Sequence, residues 1–176
     1  MEVPRRVVRV DAQRSNGRVH ALLLFLAAAS TSPVTTPRPT PSKALGACSA
    51  VTAADLERAL RRRFTRGQEE GRGADSTCDY GAGNGQVSIT IQRLSEKLDI
   101  SAEIESLKKN IEGSSVRWSF GLGSTAFFLD IAGAGTQLHV IRCDRDYVMV
   151  SILGLGDAAA VSAAAEQLAR TALQRI

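Results

Sequence analysis

Histidine is nearly absent from this chain of 176 residues, which holds only His20 and His139. That excludes His-rich metal sites and any zinc motif needing two histidines from the folded part. Cys-x-x-Cys, Gly-x-Ser-x-Gly and Gly-x-x-x-x-Gly-Lys-Ser/Thr are also missing. With them go the chemistries that those spacings serve. Gly81, Gly83 and Gly85 lie between two predicted strands, so they do not make the strand-to-helix dinucleotide fingerprint. Aromatics are 5% of the chain and never interleave with its basic runs, so nothing points to base stacking or a nucleic-acid partner. No apolar run reaches the ~20 residues of a membrane span. No cofactor, metal site or catalytic residue is expected.

What is present begins with a leader. Arg5, Arg6, Arg9, Arg14 and Arg18 precede a short apolar stretch from Ala21 to Ala29. Ala27 and Ala29 then give a small-x-small pattern. A basic flank, a short apolar core and small exit residues are the parts of a secretory signal, predicted over residues 1–29. The formal charge of +4 is largely the leader's, because the remainder carries 17 basic and 16 acidic residues. Residues 30–44 are rich in Thr, Pro and Ser; they bury little apolar surface and read as an extended spacer. Residues 45–176 suffice for one hydrophobic core. The expected address is secreted or at the cell envelope, with nothing transmembrane once the signal is removed.

Three cysteines remain to be placed: Cys48, Cys78 and Cys143. In an oxidising compartment a pair bridges, and three cysteines allow three pairings. Cys48–Cys78 is the pairing expected here, since it ties the start of the first helix to the first strand. Cys143 is then left over beside a turn. Leu45-Gly46-Ala47-Cys48 has the form of a lipoprotein box, but a polar tract separates it from the apolar core of the signal.

The pattern predicts an α+β domain. Thr52 and Asp55 open a helix as cap and N3 partner, with Leu56, Leu60 and Phe64 inward. Gly67 to Asp75 reads as a loop. Strands are predicted at Thr77–Tyr80 and over Val87–Ile91, where apolar and polar residues alternate. Ile100, Ile104, Leu107 and Ile111 make the clearest helical stripe. Val116–Phe120 is extended, strands follow at Ala126–Ile131, Gln137–Arg142 and Tyr147–Leu153, and Asp157 caps a final helix whose buried stripe is Val161, Ala165, Leu168 and Ala172. The predicted order is α-β-β-α-β-β-β-α, an antiparallel sheet of about five strands with helices packed on it.

Three weak constellations carry conceivable chemistry. His139 and Cys143 are two strand repeats apart and could share a face, with Asp130 to orient the imidazole, as a thiol nucleophile requires. Against this, a lone histidine on an outer strand face is usually solvated. Arg58, Arg61, Arg62 and Arg66 could line one face of the first helix and meet an anionic polymer or lipid. Asp144 and Asp146 could share a cation, although they also suit a tight turn.

Cys48-Ser49-Ala50-Val51-Thr52 before a helix, Cys78-Asp79-Tyr80, Gly121-Leu122-Gly123 before Ala126-Phe127-Phe128, and the closing Ala-rich helix together resemble a family of small secreted proteins and lipoproteins of unknown function, mainly actinobacterial. The resemblance covers most of residues 46–176. It implies the Cys48–Cys78 pairing and an extracytoplasmic address, and it supplies no catalytic residues. The chain departs from it in having a signal and spacer before Cys48, and in carrying Cys143. The expected function is a non-enzymatic domain binding an unidentified extracytoplasmic ligand or protein. The alternatives are a secreted thiol enzyme using Cys143 and His139, and a binder of anionic polymer or lipid through the Arg-rich helix.

Overall fold

The computed structural model describes residues 46–176. The predicted leader and spacer lie outside the described residues. Within them the chain forms α1 (Ala47–Ala50), α2 (Ala53–Leu60), β1 (Gln68–Arg72), β2 (Asp75–Ala82) and β3 (Gly85–Arg93). It continues with α3 (Ile100–Asn110), β4 (Ser114–Ser119), β5 (Thr125–Ile131), β6 (Gly135–Arg142), β7 (Asp146–Leu153) and α4 (Ala158–Arg175). The strands make one antiparallel sheet in the order β1-β2-β3-β7-β6-β5-β4.

The α+β class and the antiparallel sheet stand, with seven strands where about five were expected. The two strands beyond the expected five, β1 and β4, are the two edges of the sheet, and β4 falls where Val116–Phe120 was expected to be extended. Gln68–Arg72 was expected to be a loop, but it pairs with β2 from Gln68↔Asp79 to Arg72↔Asp75. All five of its residues are exposed, so no apolar alternation marks it as a strand. In the β2–β3 turn the left-handed residue is Gly83, at φ 61°.

One face of the sheet carries the main core. Cys78 and Tyr80, Val87 and Ile89, Val148 and Val150, Leu138 and Val140, and Phe128 are buried there with Val161, Ala165, Leu168 and Ala172 of α4. Side chains of this size contribute roughly 1.5–3 kcal/mol each when fully removed from water. The predicted α4 stripe and its Asp157 cap are both present, with the Asp157 carboxylate accepting from the Ala160 amide.

The α2 capping box forms as expected between Thr52 and Asp55. Asp55 does more than cap. Its carboxylate accepts from Arg175 at the end of α4, at 2.6 Å and 3.2 Å, and from Arg58. Tyr80 donates from its hydroxyl to the Val51 carbonyl, and burial pushes that phenol up to about 12. The Cys48–Cys78 disulfide fixes α1 to the sheet with its Cα atoms 5.0 Å apart.

The second face is covered differently. Its buried side chains are Phe127, Leu129, His139 and Ile141 on β5 and β6 and Ser151 on β7. α3 meets β4, and burial together with the Glu103 carboxylate of α3 pushes the Tyr147 phenol up. Although its stripe is the most regular in the sequence, α3 has no fully buried residue. No helix of the described residues is long and apolar enough to cross a membrane.

Candidate functional site

Antiparallel register places one row of side chains across the second face. Thr77, Thr90, Met149, His139, Phe127 and Trp118 are successive neighbours from β2 to β4. At the β4 end the row is aromatic. Trp118 meets Phe127 edge to face at 6.0 Å between centroids, and Phe127 stacks on His139 at 4.7 Å. His139 Nδ1 is 2.7 Å from the Tyr147 hydroxyl. Each ring fixes the next, so Trp118 sits on a rigid support.

Trp118 is 52% exposed and Phe120, just beyond the strand, is 86% exposed. They are the large apolar side chains left in water among the described residues. Two features hold them outward. On the other face of β4, Arg117 makes a bidentate pair with Asp130 at 3.0 Å and 3.2 Å, reaches Ser162 of α4, and lies over the Phe128 ring. Ser119 donates to Glu166 at 2.9 Å. β4 is therefore stapled to α4 from behind. After Phe120 the chain turns through Gly121 and Gly123, both at positive φ, and drives Leu122 into the core. A Cβ on Gly123 would lie 2.2 Å from the Ile141 carbonyl oxygen, so that turn requires glycine. β4 pairs only with β5, so the amides and carbonyls along its other side are unpaired by any strand.

The thiol constellation is not brought together. β6 ends at Arg142, and Cys143 sits in the following turn with φ 53°, beside Asp144 with φ 56°. Strand alternation therefore does not carry from His139 to Cys143. His139 is not a solvated side chain either. It is 1% exposed, its Nε2 has no hydrogen-bond partner, and burial pushes its pKa down to about 4. Asp130 lies on the opposite face, where it accepts from Arg117 and Thr136. Cys143 is exposed and is the free cysteine.

The other two constellations change as well. α2 stops at Leu60, so Arg61, Arg62 and Arg66 follow the helix and do not line its face. Asp144 pairs with Lys97 at 3.1 Å, and Asp146 with Arg93 and Arg142 at 3.1 Å and 2.7 Å, so each carboxylate already has a cationic side chain. No cluster of three or more metal-ligating side chains occurs among the described residues. Cys48 is bonded to Cys78, which occupies the sulfur that lipidation would need.

Sequence reasoning missed Trp118 and Phe120 as a surface. A signal was available: Val116, Trp118 and Phe120 alternate with Ser115, Arg117 and Ser119, which puts the three apolar side chains on one face. No family model, curated protein or solved structure matches this chain.

Proposed function

We propose that this chain is an exported, non-enzymatic interaction domain that takes a protein partner along the β4 edge. The observation that carries the reading is the pairing of an open strand edge with Trp118 and Phe120, two exposed aromatics within three residues. An extended partner segment adds to such an edge through main-chain hydrogen bonds, and anchored aromatics supply most of the binding energy. Trp118 suits that role because its ring rests edge to face on Phe127, which is itself stacked on His139, and a supported ring lowers the ordering cost on binding.

Export rests on the leader's pattern and on the Cys48–Cys78 bridge, since disulfides persist in oxidising compartments. The resemblance to small secreted domains agrees with that address. The thiol-enzyme reading loses ground because Cys143, His139 and Asp130 stand apart.

The test is a photo-crosslinking residue at position 120 in cells that export the protein, with the same residue at exposed Glu105 on α3 as control. The reading expects a discrete adduct with an extracytoplasmic protein from position 120, absent from position 105 and lost with Trp118→Ser. The same adducts from both positions contradict it.

A further inference from the structure

We infer that the arginines following α2 form a docking surface for an anionic lipid bilayer. Arg61, Arg62, Arg63 and Arg66 are exposed, and among the described residues none of them has a carboxylate within 4.0 Å. This sets them apart from Arg58 and Arg175, which are engaged with Asp55. Basic and acidic residues nearly balance over 46–176, and Glu57, Glu69 and Glu70 lie close by in the chain, so the four arginines in six positions are a local cluster of positive charge on a near-neutral domain.

The loop that presents them is held. Arg61 takes the left-handed conformation that ends α2, with its amide bonded to Glu57. Phe64 packs against the core, and Thr65 exchanges hydrogen bonds with Gly81 at 2.9 Å in both directions. The inward anchors fall between Arg63 and Arg66, leaving the guanidinium groups toward solvent. They are thus fixed near the end of the sheet where Gly81 pairs with Gln86 and Gln86 with Leu153.

Guanidinium groups bind phosphate oxygens in a fork and, unlike amines, stay charged in any environment. A bilayer fits better than a nucleic acid, because no exposed aromatic accompanies the arginines for stacking.

The full chain tests this with a donor dye on Cys143, the free exposed thiol. Cys143 lies at the other end of the sheet, where Arg93 pairs with Asp146. The seven-residue step along β3 puts the two ends about 24 Å apart. Wild type and the Arg61→Gln, Arg62→Gln, Arg63→Gln, Arg66→Gln variant are compared on vesicles of equal phosphatidylglycerol and phosphatidylcholine with an acceptor dye at the headgroups. Circular dichroism checks that both are folded.

The inference expects one of two results. The variant sediments with the vesicles on the order of a thousandfold more weakly, or, where the leader holds both proteins down, its Cys143 dye transfers more energy because the domain no longer stands on its basic end. Neither change, or the same change on pure phosphatidylcholine, overturns it. Soluble polyphosphate that strips wild type from the vesicles at matched phosphate concentration also overturns it, in favour of a soluble polymer.

Discussion

Phe127 and His139 stack almost parallel, with ring centroids 4.7 Å apart and planes inclined by 6°. The contact buries a titratable ring in the middle of an aromatic row, and the stability of the fold follows its protonation. Burial holds His139 at about 4 in the folded chain, against 6.5 when unfolded. The unfolded state therefore binds the proton more tightly. His139 contributes its full stability above pH 6.5, and that contribution falls as pH drops from 6.5 to about 4. The loss reaches roughly 3 kcal/mol. Urea midpoints measured between pH 8 and pH 4 check it. His139→Phe is expected to flatten that limb, at a cost of ~1 kcal/mol for the unpaired Tyr147 hydroxyl.

A second acid limb lies lower. Arg175 beside Asp55 holds its carboxyl well below the ordinary 3.8. A depressed carboxylate stabilises the fold above its unfolded value and loses that contribution as pH falls below 3.8. Asp55→Ala removes the cap and leaves Arg175 without its partner, and is expected to cost about 2–4 kcal/mol. Arg175→Met should destabilise less, because Thr52 still serves the carboxylate, and should shrink this limb, since the folded-state pKa of Asp55 then rises toward its unfolded value. Denaturation at pH 7 and pH 3 separates the two variants.

Reducing the Cys48–Cys78 bridge releases a separation of 30 residues. The expected loss is roughly 3 kcal/mol, seen as a lower thermal midpoint in reductant. Before reduction, iodoacetamide should add once to the folded protein, at Cys143.

Cys143 and Asp144 both hold left-handed backbone in the β6–β7 turn. An ordinary side chain there costs about 1–2 kcal/mol relative to glycine. Cys143→Gly is expected to be neutral or to stabilise by ~1 kcal/mol, since glycine also loses more freedom on folding. A clear loss of stability in urea titration would show that the thiol has packing partners after all.

Gly123→Ala tests the turn that presents Phe120. The added methyl meets the Ile141 carbonyl at 2.2 Å and the backbone φ is 59°. The change is expected to cost about 2 kcal/mol or more and to weaken any partner bound through Phe120. Urea titration reads the first effect and partner affinity the second.

The sequence was most legible where one face of an element is wet and the other dry. The alternation of Val87, Ile89 and Ile91, the capping pair Thr52 and Asp55, and the α4 stripe all read correctly. β1 was invisible because an edge strand with every side chain in water carries no period; its evidence is main-chain pairing alone. α3 misled in the other direction: its stripe is regular, yet Ile100, Ile104, Leu107 and Ile111 are only half-buried. His139 was misread as solvated because nothing local reveals that Phe127, 12 positions upstream, will cover it. Trp118 and Phe120 were readable as a face, but not as an edge, since edge position depends on strand order.

The account turns on the compartment in which the domain works. Intact mass of the protein taken from the cells that produce it, with and without reductant, measures this directly. The expected species lacks the leader, starts near Ser30, carries no lipid and gains two hydrogens on reduction. A full-length chain already fully reduced would contradict export and the bridge together, and would remove the extracytoplasmic partner with them.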